Sequence, residues 1–400
     1  MKRVIISLFF LYTFLGVVFS ANAAEYLYTV SNSTNGNSVI GYKVEGNGVL
    51  TELRDSPYLT GGVGTDEPSF SDHGIISDQA GRLLFVTNPR SGDISVFRIR
   101  RNGSLILVNG SPFSTGGVVP TSLALSGNIL YVSHIGAAIP GTNCVECDYR
   151  GFRVSRRGRL TPIHGSLVSL ENATSAIPFS ILFNREGNTL IGSRLTPAPV
   201  SDDDHIIEAF KLNKKTGLLT AAPGAPYLAQ GAQSLGMAFN PINDTQLFVS
   251  ALVEFLVQPG SLSSYLVAET GQISPITPIG IGTDGQFSTC WLDVTSNGKY
   301  LFASNTRSGS ISRFDVAEDA QLTLLGNAEL PLLQDGDLDT PLQVTITTNN
   351  RYLYTVTEDA NLIGWRHDNG DLSLLPQGPI ELRGVEHPYG LALVTKRARY

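Results

Sequence analysis

The stretch Leu84-Phe85-Val86-Thr87-Asn88-Pro89-Arg90-Ser91-Gly92-Asp93-Ile94-Ser95-Val96-Phe97 returns in nearly the same form as Leu301-Phe302-Ala303-Ser304-Asn305-Thr306-Arg307-Ser308-Gly309-Ser310-Ile311-Ser312-Arg313-Phe314. Each copy is a short apolar strand, a polar turn closed by Gly, and a second strand ending on an aromatic residue. Looser copies start at other leucines, so that the anchors are Leu27, Leu84, Leu130, Leu190, Leu247, Leu301 and Leu353, separated by 57, 46, 60, 57, 54 and 52 residues. That spacing has room for four short strands and their loops. The expected fold is all-β: a seven-bladed β-propeller of four-stranded blades.

Working outward from the anchors gives the order of strands in a unit. Upstream lie segments with period-two alternation, among them Ser122-Leu123-Ala124-Leu125, Ser180-Ile181-Leu182-Phe183, Gly236-Met237-Ala238-Phe239 and Trp291-Leu292-Asp293-Val294. Their small residues suit the crowded strand nearest a propeller axis. Turn sequences such as Asp78-Gln79-Ala80-Gly81 and Ser296-Asn297-Gly298 connect them to the anchor strand as tight hairpins. A third, aromatic-bearing strand follows, and a Gly then introduces an edge strand, as in Gly48-Val49-Leu50-Thr51 and Gly217-Leu218-Leu219-Thr220.

The first copy has no inner strand, because Tyr26-Leu27-Tyr28 stands at the head of the repeat region. The missing pattern occurs at the other end, in His387-Pro388-Tyr389-Gly390-Leu391-Ala392-Leu393-Val394. The two ends are therefore expected to share a blade, with the C-terminal inner strand pairing with the N-terminal strands, which closes the ring and removes exposed sheet edges. Residues 25–400 are read as one propeller domain.

Residues 1–24 read as a signal peptide, since Lys2-Arg3 precede an apolar run from Val4 to Phe19 and the small residues Ala21-Asn22-Ala23-Ala24 follow. An uncleaved anchor is the alternative reading, but the run is short for a span. Export to the periplasm or outside the cell is expected, with no membrane span after cleavage. The net charge of −7 comes with no basic stripe, which argues against nucleic acid as a partner. Cys144 and Cys147 form a C-x-x-C, read in an exported chain as a loop disulfide; zinc would need two further ligands that no second motif supplies. Cys290 is read as a buried thiol. Asp202-Asp203-Asp204-His205 lacks the spaced pattern of calcium loops, and no serine elbow, dinucleotide fingerprint or P-loop is present. No metal and no cofactor are expected.

The repeat resembles the seven-bladed lactonase-type propellers, which include 6-phosphogluconolactonase and carboxymuconate-cyclising enzymes. The resemblance rests on the paired turn phrases at Asn88 to Phe97 and Asn305 to Phe314, on Cys290-Trp291-Leu292-Asp293-Val294-Thr295, and on edge phrases such as Gly217-Leu218-Leu219-Thr220. It implies a site at one channel mouth built from a Pro-His-x-His phrase, a Pro-Arg-His phrase, a turn Glu and a turn Arg. Here the corresponding inner strands read Pro178-Phe179-Ser180-Ile181 and Gln233-Ser234-Leu235-Gly236, without either histidine phrase. Glu254 is displaced by a few residues, and only Arg307 stands near the implied arginine. Arg90 occupies the same place in the other full copy, so a turn role for both arginines is the competing reading.

Loops after the anchor strands emerge on one face. The mouth is accordingly expected to gather Asn32, Arg90, His134, Arg194, Glu254, Arg307 and Glu358, with His73, Trp291, Gln343 and Tyr389 beside them. The candidate catalytic residues are His134, Arg194, Glu254 and Arg307; the candidate ligand-binding set is Arg90, His134, Arg194, Glu254, Arg307 and Glu358. His134 leads because it precedes an atypically long loop. The functional expectation is an exported, lactonase-like binding propeller, monomeric, with a small anionic ligand or a protein at the mouth. The alternative is a hydrolase or cyclase acting on a lactone or related organic acid.

Overall fold

In a computed structural model the described residues are 23–65, 72–136, 144–170, 177–195, 206–231, 233–252, 258–276, 280–385 and 387–396. They form seven antiparallel sheets. Neighbouring inner strands touch around a complete ring, so the sheets are the blades of a propeller. Blades 2 to 7 have inner strands Ile75–Ser77, Pro120–Ser126, Ile177–Phe183, Ser234–Asn240, Thr289–Val294 and Pro341–Ile346. Blade 1 takes its inner strand, Tyr389–Lys396, from the C-terminal end. It pairs with Ala24–Val30 in the register Leu27 to Leu393 and Tyr28 to Ala392.

The blades are four strands wide, with one refinement on the expected unit. In six of them the outermost position is split into two short segments, both paired to the third strand, as Leu50–Glu52 and Tyr58–Leu59 are to Ser38–Val44. Blade 6 keeps one continuous outer strand, Leu322–Glu329.

The repeat phrase is explained by what its alternate residues face. All seven anchor leucines have no accessible surface. Each lies against the preceding blade: Leu84 packs with Tyr26 and Tyr28 of blade 1, and Leu301 with Phe248 of blade 5. The next residue, on the opposite face of the strand, packs against the following blade, as Phe85 does with Leu130 and Phe302 with Leu353. Two consecutive apolar residues thus fill two different seams, and blade-to-blade seams make up much of the hydrophobic core.

The glycine that introduces the edge strand belongs to the same seams. Tyr28 donates its hydroxyl to the Gly103 carbonyl of the next blade at 2.6 Å, Tyr131 to Gly217 at 2.7 Å, and Tyr354 to Gly48 at 2.7 Å across the ring closure. Gly103 has φ +81°, and a Cβ there would stand 2.2 Å from the Tyr26 ring. Only glycine satisfies both conditions.

Six of the seven inner strands carry a register irregularity near the end that starts at the mouth, for example between Thr289 and Leu292 and between Pro341 and Val344. Such bulges re-aim side chains. Further along, Asp293 of blade 6 accepts the Ile346 backbone N–H of blade 7 at 3.0 Å and the Thr345 hydroxyl at 3.2 Å. Burial pushes the Asp293 carboxyl up to about 6, against the opposing pull of these donors and of His73.

Two outcomes follow from this packing. Gly103→Ala should lower unfolding free energy by roughly 2–4 kcal/mol, because left-handed strain and overpacking act together; urea unfolding that leaves the midpoint unchanged would contradict the seam role. An unfolded aspartate titrates near about 3.9, so the Asp293 contribution is fully present below that pH and is lost as pH rises through about 6. Asp293→Asn should flatten the fall in melting temperature between about pH 4 and 6, whatever its absolute stability.

Candidate functional site

The ends of the second strands and the starts of the inner strands lie at one mouth of the channel, as the pairs Pro120 with His134, Thr289 with Asn305 and Pro341 with Thr357 require. The fourth residue after each anchor occupies one structural position here, and its side chain faces the preceding blade with the anchor. In the two full copies of the phrase it is an asparagine acting as a cross-strand staple. Asn88 donates to Asp93 at 2.6 Å and to Ser95 at 2.8 Å; Asn305 donates to Ser310 at 2.9 Å and to Ser312 at 2.8 Å.

His134 and Arg194 occupy that same position in blades 3 and 4. His134 Nδ1 is 2.7 Å from Asp148, whose carboxylate also takes the Arg150 guanidinium. Burial pushes the Asp148 carboxyl up, but the bonds and charges of His134 and Arg150 outweigh it and hold the group below its ordinary range. The His134 ring is fully buried, lies against Gly117, and leaves Nε2 without a hydrogen-bond partner. A buried imidazole spent on a turn carboxylate cannot meet a substrate at the mouth. The long loop that made His134 the leading candidate is an insertion between the two halves of a staple. Cys144 and Cys147 are bonded to each other within it, and Cys290 is a free buried thiol that burial pushes up to about 12.

Arg194 likewise turns into the seam between blades 3 and 4. It donates to the Leu170 carbonyl and stands 3.8 Å from Glu208. Arg90 and Arg307 are exposed on the mouth face and Glu358 is half-buried there. Glu254 lies outside the described residues, as do residues 202–205. His134 and Arg194 are thus buried in two different seams, whereas Arg307 stands exposed on the mouth face.

The inner strands carry an apolar plug instead. Phe179 of blade 4 and Trp291 of blade 6 lie with ring centroids 6.0 Å apart, in one buried cluster with Leu235 of blade 5 and Leu342 of blade 7. Beside this apolar plug sits a polar knot. Asp72 accepts the His73 backbone N–H at 2.9 Å, and His73 Nδ1 lies 3.3 Å from both Ser180 Oγ and the Asp72 carboxylate. His73 is held at φ +62°, a left-handed conformation. Burial raises the Asp72 carboxyl against the pull of His73, Met237 and Ser180. Asp72 and Ser180 carried no sequence signal as site residues, because they reach the axis from blades 2 and 4.

Glu208 and Tyr149 were also illegible as partners. The Tyr149 hydroxyl crosses from blade 3 over Gly192 to donate to Glu208 at 2.7 Å. Burial raises the Glu208 carboxyl, opposed by the Arg194 charge and the tyrosine bond. Parity was the available signal for the candidates themselves: a residue four places from a buried leucine on a strand faces the same way.

If His134 is a staple, His134→Asn should keep most of the stability, whereas His134→Ala should cost roughly 1–3 kcal/mol by removing a buried bond to Asp148 and leaving a void beside Gly117. Chemical denaturation of both variants checks this, and equal losses would count against the equivalence with Asn88 and Asn305.

Residues 188–331 match the family model described as Lactonase, 7-bladed beta-propeller. No curated protein matches the chain in sequence. Among solved structures, the periplasmic gluconolactonase of Pseudomonas aeruginosa is similar at 16% identity with a TM-score of 0.71, covering 93% of this chain and 100% of its own. Candidate 6-phosphogluconolactonases of Bacteroides uniformis and Bacteroides fragilis are similar at 18% identity each, with TM-scores of 0.70 and 0.71; they cover 93% and 94% of this chain, and 100% and 99% of their own. Seven seam-packed blades and these likenesses in fold make the chain a seven-bladed β-propeller, within which residues 188–331 are similar to the lactonase family.

Proposed function

We propose that this lactonase-like propeller is an exported binding protein that presents its channel mouth to a small anionic molecule or a protein surface. The observation that carries the reading is the plug: Phe179, which stands where the family resemblance implies a histidine of the Pro-His-x-His phrase, packs against Trp291. Burying two aromatic rings stabilises the closed centre by several kcal/mol, which favours surface contact over a pocket for chemistry. Arg90 and Arg307 on the rim offer guanidinium groups suited to carboxylates. Export is supported by Lys2-Arg3 and the apolar run after them, and by the joined Cys144 and Cys147, a pairing typical of oxidising compartments. The chain is taken to work as a single propeller domain, residues 25–400, and as a monomer.

Lactone hydrolysis is the second reading. It is favoured by the Asp72, His73 and Ser180 knot at the axis and by relatives in fold whose names specify gluconolactonase or 6-phosphogluconolactonase. In that case His73 would serve as the base.

A screen of δ- and γ-lactones against the mature chain separates the two. The binding reading expects no hydrolysis above the buffer rate, together with a rise in melting temperature on adding small dicarboxylates that is lost in Arg90→Gln/Arg307→Gln. Turnover that disappears in His73→Ala but survives in His134→Ala would instead establish the enzyme.

A further inference from the structure

The seam between blades 3 and 4 does not close completely. It leaves a recess of about 250 Å³, open to solvent on one side, whose walls include Val168 and Leu170 of blade 3 and Phe210 and Pro226 of blade 4, with Arg194 and Glu208 at its polar side. Both charged residues are more than nine-tenths buried. Buried charges are normally paired at hydrogen-bond distance, and charge-assisted N–H···O bonds run at about 2.7–2.9 Å. This pair falls short of that: Arg194 Nη1 is 3.8 Å from Glu208 Oε1, while Arg194 Nη2 is taken by the Leu170 carbonyl and Glu208 Oε2 by the Tyr149 hydroxyl. Arg194 Nε has no hydrogen-bond partner.

We propose that this cavity is a binding site for a small uncharged molecule that carries a hydroxyl on an apolar ring, the hydroxyl bridging Arg194 and Glu208. An oxygen placed about 2.8 Å from both Nη1 and Oε1 fits the gap between them, accepting from the guanidinium and donating to the carboxylate. The ring then lies between Phe210 and the aliphatic walls, which is the composition of an ordinary small-molecule pocket. The charge of the pair selects against ions. A carboxylate would meet Glu208 and an ammonium would meet Arg194, whereas a neutral hydroxyl satisfies both. Tyr149 and Gly192 hold the carboxylate in place, since a Cβ on residue 192 would fall 2.2 Å from the tyrosine hydroxyl oxygen.

Phenol and cyclohexanol are the probes, with benzoate and benzylammonium as charged counterparts, measured on the mature chain by calorimetry or ligand-observed magnetic resonance. The expected result is saturable binding of phenol with a dissociation constant on the order of 1 mM, at least tenfold tighter than either ion. Ala221→Phe places a ring in the cavity from an exposed position, without touching the charged pair. It should weaken phenol at least tenfold and leave the melting temperature nearly unchanged. Glu208→Gln, checked for folding by circular dichroism, should weaken phenol and reduce its advantage over benzoate. No saturable binding, equal binding to Ala221→Phe, or benzoate as tight as phenol would each overturn the proposal and leave water as the bridge. None of these outcomes depends on a lactone being hydrolysed or on the mouth arginines, so the test is independent of the function proposed above.

Discussion

Everything in this molecule depends on the seam between neighbouring blades. A four-stranded blade is apolar on both faces and cannot be stable alone; it is stable because each face is covered by the next sheet. Leucine at each anchor covers the seam behind, the residue after it covers the seam ahead, and tyrosine hydroxyls reach across to glycine carbonyls. A ring of such contacts has no end only if the last seam is made by the two ends of the chain, which is why Ala24–Val30 and Tyr389–Lys396 share a sheet.

The same constraint limits where function can reside. A side chain at the staple position is drawn into a seam whatever its chemistry, so a histidine and an arginine that would serve a catalytic site elsewhere are used to tie turns and blades together. The seam is also where variation becomes possible. Asparagine and serine close the staple neatly in blades 2 and 6, whereas the longer Arg194 and Glu208 in blade 4 leave a partly filled, charged recess. The channel shows the converse. Near the inner-strand bulges the large apolar side chains of Phe179 and Trp291 pack against each other.

Much of the fold was legible because it is written locally and repeatedly. Period-two alternation, hairpin glycines and anchor spacing each follow from backbone geometry within one blade, and the half-units at the two ends are complementary in pattern. The split outer strand was less legible, since two- and three-residue segments carry almost no periodic signal. The site was scarcely legible. His134, Arg194 and Arg307 lie near the predicted mouth, yet two of them turn away from it. Asp72 and Ser180 lie 108 positions apart in sequence and Tyr149 and Glu208 lie 59 apart, so neither pairing is visible locally.

By itself the sequence determined the number of blades, the order of strands within them and the joining of the two ends, because these depend on repeat length, strand period and turn chemistry. Only the tertiary structure decided which polar side chains are spent in seams, which meet at the axis and which stay on the rim. Those choices depend on the packing of one blade against another. A linear pattern can state that a residue is polar and near a turn, but its partner across the seam comes from a different repeat, where the copies are free to differ.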